Sequence, residues 1–336
     1  MVKNFRPYIA SLPIVFRIVT HFIISRRKAK QFAQTTITEI EKNYCHTVSE
    51  KVRKKTITSF AIYNPIVCDA FTQLHKRFTS QEEQKLLVYY FVMASMYDDF
   101  FDHHEMSVET IEKLTFLGDA YMPKTLDEML IQSIHRYLLA RVNNKTDYLS
   151  LFEHMFTAQK DSLLQFNADI DTETLLSITH RKGGYAVLMC YYYLQVVGSE
   201  AEKKCWYLLG TIIQMINDLF DTFKDSRAGI YTFANHSDSV TDIKTAYNNQ
   251  VQLLKNAIRE VKANPRNKRF FNYTLAAVYC LGFLAIEQLE KVAEKYGKKL
   301  PNFTELSRKD LVIDMELYKN RKRWISLFML EGYSLN

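Results

Sequence analysis

The order of apolar and polar positions along the chain predicts helices over most of its length. Apolar residues recur every three or four positions through long stretches, which is the spacing of one helix face. Ser80 and Ser199 each precede an acid by three positions, a pattern typical of helix N-termini. No segment alternates for long enough to predict a strand. We predict helices at 31–56, 80–104, 107–119, 125–142, 146–168, 172–182, 184–198, 200–227, 239–263, 267–297 and 303–331.

The clearest breaks between these helices are the glycine pair at 183–184, the Asn-Pro pair at 264–265 and Pro301. No linker rich in proline, glycine or serine divides the chain, and it has no low-complexity tract and no internal repeat. We therefore expect a single large all-α helical bundle at residues 31–336. An N-terminal amphipathic segment at residues 1–30 would precede it.

The composition contains few of the residues that make turns. Only 9 glycines and 6 prolines occur among the 336 residues, whereas strand-rich folds use many of both. The hydrophobic share of 47% and the charged share of 24% are ordinary for a protein with a buried core. Collagen-like, disordered and many-stranded proteins are therefore excluded. The sequence contains neither GxGxxG nor GxxxxGK[ST], which disfavours a doubly wound nucleotide-binding fold.

The cysteines indicate a reducing compartment. They are odd in number, widely spaced and without a CxxC pair, so they predict neither a disulfide framework nor a zinc site. We therefore expect a cytoplasmic protein. The five are Cys45, Cys68, Cys190, Cys205 and Cys280.

Basic residues outnumber acidic ones, and the formal net charge is +7. Basic runs at 26–28, 53–55 and 321–323 are typical of solvated faces, and they also suit an anionic ligand or a membrane surface. Because no base-stacking motif or known nucleic-acid module accompanies them, we expect no nucleic-acid partner.

The apolar segment at 8–25 raises the question of a membrane contact. Pro13, Arg17 and His21 interrupt it, so it predicts neither a membrane span nor a signal peptide. An amphipathic helix that packs on the protein or rests on lipid fits the pattern better. Peripheral membrane contact through residues 8–27 is the resulting hypothesis.

The first group of candidate functional residues is an acidic cluster at the end of the helix that begins at Ser80. Asp98 and Asp102 are four positions apart and share one helix face, with Asp99 about 100° further round. The cluster includes the apolar pair at 100–101, and carboxylates that are buried must be paired, protonated or bound to a cation.

A second cluster lies on the helix that begins after Ser199. Asn217, Asp221 and Asp225 repeat every four residues and would line one stripe. Oxygen ligands without histidine or cysteine suit a hard cation, and magnesium is the usual one where a phosphate completes the coordination shell. Each cluster alone is also typical of an acidic helix face. The two together predict that a magnesium-bound diphosphate is held from both sides.

The two clusters resemble the metal-binding boxes of a known superfamily. Segment 98–102, DDFFD, looks like the DDxxD box of class I isoprenoid synthases, and segment 217–225, NDLFDTFKD, resembles the second box of class I terpene cyclases, NDxx(S/T)xx(K/R)(D/E). The resemblance implies an all-α bundle of the isoprenoid synthase type around a central aromatic-lined cavity, where three Mg²⁺ ions hold and ionise a prenyl diphosphate. The resemblance also implies which residues bind the metal and act in catalysis, namely Asp98, Asp99, Asp102, Asn217, Asp221 and Asp225. The cavity would be lined by Phe100, Phe101, Tyr191, Tyr192, Tyr193, Phe220 and Phe223.

A second resemblance concerns the same half of the chain. Segment 209–231 is similar to the LGxxxQxxNxxRDxxxDxxxGRxY stretch of squalene and phytoene synthases, and segment 191–198 to their YCYxVAGxVG helix. Phe220 stands where that family has arginine, and Asp221 stands where terpene cyclases usually have serine or threonine. Chain-elongating prenyltransferases fit less well, because their GGKRxRP stretch is missing.

Basic residues near the second cluster are candidates for binding the diphosphate. Arg181 and Lys182 lie at a predicted helix break, where they suit either an anion site or a helix C-terminus. Lys224, Arg227 and Tyr231 follow the second box and would reach the same phosphates.

These observations predict a Mg²⁺-dependent class I terpene synthase. It would ionise a prenyl diphosphate of C15 or longer, cyclise the carbocation and release diphosphate. The alternatives are a head-to-head prenyl transferase of the squalene and phytoene synthase type, or a non-catalytic isoprenoid-binding helical protein. The oligomeric state stays open, with a homodimer as one option.

Overall fold

The structure is a computed structural model that describes residues 5–102, 106–297 and 299–336, with the backbone alone for Asp102. Every regular element within those ranges is a helix, which confirms the all-α prediction. The α-helices are α1 Arg6–Tyr44, α2 Glu50–Tyr63, α3 Asp69–Leu74, α4 Gln81–Asp102, α5 Val108–Phe116, α6 Leu126–Leu139, α7 Lys145–Asp161, α8 Thr172–Tyr191, α9 Glu200–Phe220, α10 Thr222–Ala228, α11 Phe233–His236, α12 Val240–Glu260, α13 Pro265–Lys295, α14 Arg308–Leu311 and α15 Tyr318–Ser334. Single turns of 3-10 helix lie at Gly118–Ala120, Ser162–Phe166 and Phe303–Glu305, and a π-helical turn lies at Asn64–Cys68.

The described residues form two compact units. The first unit takes its residues from 1–18, 153–188 and 197–336. The second takes its residues from 19–152 and 189–196. The expected division of the chain at residue 30 stays a prediction, and α1 continues through that position without a break.

The core of the first unit is built around α13, which contacts α9, α12 and α15. The buried residues of α13 are spread around the whole helix, as expected for a helix enclosed by others. The Tyr247 hydroxyl of α12 donates a hydrogen bond of 2.6 Å to the Tyr279 carbonyl of α13. Gly282 leaves the space for that ring, since a Cβ there would lie 2.2 Å from it. The two helices are therefore in close contact at this point.

Aromatic side chains fill the core of the second unit, where α4 packs on α2 and α6. Tyr89 stacks on Tyr137 with ring centroids 4.2 Å apart. The hydroxyls of Tyr148 and Tyr193 share a hydrogen bond of 3.0 Å, and both side chains are fully buried. Tyr193 therefore serves as a core residue. The central aromatic-lined cavity stays a prediction.

The glycine pair at 183–184 does not end a helix, so the predicted break there is wrong. α8 continues through both residues to Tyr191. A Cβ on Gly183 would lie 2.4 Å from the carbonyl oxygen of Gly210 in α9, and a Cβ on Gly210 would lie 2.3 Å from the carbonyl oxygen of Gly183. The glycines are there because the backbones of α8 and α9 touch.

Several other predicted helices differ from those observed. The helix predicted at 31–56 is divided between α1 and α2, because Cys45 adopts φ 50° and Ser49 caps α2 through a hydrogen bond from the Val52 amide. α1 also begins much earlier, at Arg6. The helix predicted at 80–104 is α4, and its last two positions lie outside the described residues. The helices predicted at 200–227 and 303–331 are each divided as well, the first at Asp221 and the second into the Phe303–Glu305 turn, α14 and α15.

Candidate functional site

The first acidic cluster lies in the last turns of α4. Ser80 and Glu83 set the start of this helix, because the Glu83 carboxylate accepts from the Ser80 amide at 2.7 Å and Ser80 Oγ accepts from the Glu83 amide at 3.2 Å. Asp98 and Asp99 then lie partly exposed in the final turns, whereas Phe100, which follows them, is buried. Phe100 and its neighbour at 101 therefore pack inside the unit.

Two lysines of α2 neutralise these carboxylates. Lys55 Nζ lies 2.6 Å from Asp98 Oδ2, and Lys51 Nζ lies 2.8 Å from Asp99 Oδ1. The lysines are four positions apart on α2 and therefore share one face. Because such partly exposed ion pairs contribute about 0 to 1 kcal/mol each, a divalent cation can displace the ammonium groups at low cost.

The sequence alone does not predict these lysines as partners of the first cluster. Their spacing in the basic segment at 51–55 was available as a signal, but the contact between α2 and α4 was not. Asp102, the third predicted residue of this cluster, lies at the end of α4, and its side chain is outside the description.

The second cluster extends across the junction of α9 and α10. α9 begins with a capping box at Ser199 and ends at Phe220, and Asp221 is its C-terminal cap. The Asp221 amide donates to the Asn217 carbonyl at 2.8 Å, and the Asp225 amide donates to the Asp221 carbonyl at 2.8 Å. The one-turn spacing therefore survives the junction. Asn217 and Asp221 are exposed and Asp225 is buried, so the three side chains do not form one uniformly accessible stripe.

Asp225 has a buried carboxylate without a neutralising partner. Burial, followed by the negative charge of Asp221, raises the pKa of Asp225 to about 7. Among the described residues, no side chain hydrogen-bonds or ion-pairs with this carboxylate. A proton or a cation is therefore needed to compensate its charge.

Asp218 is a second buried carboxylate in this region, and it is not among the predicted site residues. Thr179 Oγ1 donates to one of its oxygens at 2.8 Å and Gln214 Nε2 to the other at 2.8 Å. Burial nevertheless raises the pKa of Asp218 to about 6. Thr179 belongs to α8, so these hydrogen bonds hold the Asp218 side chain between α8 and α9. Asp218 thereby helps to fix the part of α9 that carries the exposed Asn217 and Asp221.

Two of the five predicted diphosphate-binding residues lie close to the second cluster. Burial raises the pKa of both Asp218 and Asp225, and the positive charge of Lys182 opposes that shift at each of them. Within the described part of the chain, Lys182 has no ion-pair partner. Lys224 is exposed, and its ammonium group lies 3.9 Å from the Asp221 carboxylate.

The other three predicted residues are held by neighbouring groups. Arg181 forms an ion pair of 2.7 Å with Asp161. Arg227 lies over the Phe223 ring at 3.9 Å and donates to the carbonyl at position 306. The backbone of Tyr231 exchanges hydrogen bonds of 2.7 and 3.0 Å with residue 165. Their roles in binding a diphosphate stay predictions.

The donor chemistry around the second cluster fits magnesium. Its side chains offer carboxylate and amide oxygens, and one of the carboxylates lacks compensation. Within the described ranges, no three His, Cys, Asp or Glu side chains are grouped closely enough to hold a metal ion. Magnesium is usually bound by one or two carboxylates together with substrate phosphates, so a pair such as Asp221 and Asp225 suits it.

Comparisons with known proteins assign no family. No family model matches the chain, and no curated protein matches it. The family resemblance therefore rests on the residues of the two boxes and stays a prediction.

Proposed function

We propose that this protein is a Mg²⁺-dependent class I terpene synthase. It would act on a prenyl diphosphate of C15 or longer and cyclise the carbocation left when diphosphate departs. The observation that carries the proposal is the buried, unpartnered Asp225 carboxylate beside Asp221 in the second box. A structural acid in this position would be expected to have a partner, as Asp218 does.

The residues divide into cation ligands and anion ligands. Asn217, Asp221 and Asp225 would hold magnesium through their oxygens, and the first cluster at 98–102 would do the same. Bound magnesium neutralises the diphosphate and makes it a better leaving group. Lys182 would add a positive charge to the departing phosphates.

In this proposal, the two lysines of α2 exchange their carboxylate partners for phosphate oxygens when the metal binds. They pair with Asp98 and Asp99 until a divalent cation takes the carboxylate oxygens. The displaced ammonium groups would then be available to the phosphate oxygens that arrive with the metal. A lysine that binds the phosphate oxygens in this way would strengthen binding of the metal-bound substrate without contacting the reacting carbon.

The test is an activity assay on the full chain. The protein is incubated with Mg²⁺ and with farnesyl, geranylgeranyl or longer diphosphates, and released diphosphate and hydrocarbon products are measured. We expect a cyclic product from a single substrate. Asp225→Asn should lower the rate about a hundredfold or more, because the variant loses a metal-binding carboxylate.

The matched control is Asp169→Asn, an exposed acid in the same unit with no side-chain partner among the described residues. It should leave the rate unchanged. Release of diphosphate at the wild-type rate by Asp225→Asn would contradict the metal assignment. A head-to-head C30 or longer product would instead indicate the prenyl transferase alternative. Tight substrate binding without diphosphate release would indicate a non-catalytic binding protein.

A further inference from the structure

The N-terminal part of α1 exposes a continuous apolar stripe. The side chains are spaced by alternating steps of four and three positions, so they share one face of the helix. Each is between 37% and 75% exposed. We call this set the α1 stripe, and it consists of Phe5, which directly precedes the helix, and of Ile9, Leu12, Phe16, Val19 and Ile23.

The opposite face of α1 is attached to the rest of the chain. The Ser11 hydroxyl shares a hydrogen bond of 2.7 Å with the Tyr273 hydroxyl, and its neighbours Ile14 and Val15 are buried. The guanidinium of Arg17 lies 4.8 Å from the Phe270 ring centroid. These contacts fix which side of the helix faces outward.

Within the described part of the chain, two helices are long and apolar enough to cross a membrane, α1 and α13. The apolar window of α13 is 78% buried, as expected of a core helix, whereas that of α1 is only 17% buried. Spanning a bilayer would require α1 to abandon the contacts of Ser11 and Arg17. A helix that lies along the membrane surface keeps them and places only the stripe in lipid.

The charges next to the stripe favour an anionic surface. Residues 1–38 contain no aspartate or glutamate. Arg26, Arg27, Lys28 and Lys30 are all exposed, and the last three have no ion-pair partner among the described residues. The spacing of the stripe would also suit a second copy of the helix, but two copies would bring these like charges together. Anionic lipid instead complements them.

We propose that α1 binds the surface of an anionic phospholipid membrane, with the α1 stripe inserted among the acyl chains and the basic residues at 26–30 at the headgroups. This inference does not depend on the proposed enzymatic activity. Binding to such a surface should weaken as salt is added, because part of the attraction is electrostatic.

The experiment is flotation of the full chain with two kinds of vesicle. One contains equal parts of phosphatidylcholine and phosphatidylglycerol, and the other contains phosphatidylcholine alone. We expect the wild type to float with the first and much less with the second. The double variant Ile9→Glu with Phe16→Glu should lower binding about tenfold or more, since two large apolar side chains no longer insert.

The matched control is Met122→Glu with Val197→Glu, which changes two exposed apolar residues that are not part of α1. It should bind as the wild type does. The variant Arg27→Gln with Lys28→Gln should lose the preference for phosphatidylglycerol. Its substitutions are exposed and polar and should leave the fold intact, so it tests the proposal even if the stripe variant fails to fold. Circular dichroism of each variant checks folding.

Three results would overturn the proposal. Equal flotation of the wild type and the stripe variant would exclude insertion of the stripe. Wild-type protein that resists extraction from membranes by alkaline carbonate would indicate a spanning helix. A dimer that the stripe substitutions dissociate, in protein that does not float, would show that a second copy covers this face.

Discussion

Asp225 combines two properties that rarely occur together in a residue with a purely structural role. Its carboxylate is buried, and no side chain among the described residues hydrogen-bonds or ion-pairs with it. Burial and the charge of Asp221 raise its pKa to about 7, so the metal-free fold carries an unfavourable charge at neutral pH.

Asp225→Asn should therefore stabilise the metal-free protein while it removes the proposed activity. We expect the free energy of unfolding to rise by about 2 kcal/mol at neutral pH, because a neutral amide replaces a poorly compensated carboxylate. Urea unfolding in the presence of a chelator measures this. Asp169→Asn should change the stability by less than about 0.5 kcal/mol. A destabilised Asp225→Asn variant would indicate that the carboxylate has a structural partner.

His135 is the clearest source of pH dependence in the second unit. Its ring stacks on Phe152 with centroids 4.6 Å apart, and its buried Nε2 atom has no hydrogen-bond partner. Burial lowers the pKa of His135 to about 4, below the value near 6.5 expected in the unfolded chain. As the pH falls below 6.5, the unfolded chain takes up a proton that the folded protein does not, and the fold loses stability until about pH 4.

Replacing this ring with a neutral one should reduce that pH dependence. His135→Phe is expected to lose about 2 kcal/mol less stability than the wild type between pH 7 and pH 5. Urea unfolding at the two pH values tests this. His180 has a pKa lowered to about 4 by burial as well, so some pH dependence should remain in the variant. An unchanged difference between pH 7 and pH 5 would contradict the assignment to His135.

The sequence identifies the acidic residues of the candidate site but not their partners. Asp98 and Asp225 stand out because their spacing matches helical periodicity and known boxes. The contact of Lys55 with Asp98 depends on how distant segments pack, and periodicity contains no information about that. The same holds for the charge of Lys182, which acts on Asp225 without a direct contact. The contrast between buried Asp225 and exposed Asp221 likewise follows from the end of α9, which the pattern placed several residues later.

At the scale of whole elements, α8 and α9 lie so close together at Gly183 and Gly210 that no side chain fits between them. Gly183→Ala would place a Cβ 2.4 Å from the Gly210 carbonyl oxygen. Neither backbone can move away without separating the helices. We expect the free energy of unfolding to fall by about 2 kcal/mol, although alanine is the better helix former.

The control for this change is Ser177→Ala, at an exposed position of the same helix. It should alter stability by less than about 0.5 kcal/mol. Thermal unfolding of both variants measures the difference. A Gly183→Ala variant as stable as the wild type would show that α8 and α9 do not touch at this point.

The pairing of α2 with α4 leads to a prediction about cation affinity. Removing both ammonium groups, with Lys51→Ala and Lys55→Ala, should raise the Mn²⁺ affinity of the first cluster about fivefold, because the competing positive charges are gone. Electron paramagnetic resonance of bound Mn²⁺ in an Asp225→Asn background measures this. Lys54→Ala is the control, since this exposed lysine has no ion-pair partner among the described residues. Lower affinity in the double variant would mean that the lysines support the site directly.

At the scale of the whole molecule, the all-α fold could be predicted because it depends on local patterns. Sparse glycine and proline, capping residues and helical spacing all point to the same fold class. The helix ends were harder to place. The sequence predicts a break at the glycine pair 183–184 because glycine is common both at helix ends and where two helices lie close together. Only the packed structure shows that the second explanation applies here.

The whole protein should respond to magnesium and diphosphate together. We expect Mg²⁺ with inorganic diphosphate to raise the melting temperature by about 5 °C or more, and each alone to have a smaller effect. Asp98→Asn and Asp225→Asn are then tested separately. If both clusters serve one ligand, either variant should lose most of the shift, whereas Asp169→Asn should retain it. Retention of the full shift in either variant would exclude that cluster from the ligand site.

The backbone contact between Gly183 and Gly210 limits which parts of the candidate site can change during evolution. Helices that touch through their backbones cannot slide past each other, so Thr179 and Asp218 keep a constant register. Asp221 lies beyond that contact, at the junction of α9 and α10. Substitutions at the two glycines should therefore be selected against, and any change in ligand preference has to come from side chains rather than from a shift of α8 against α9.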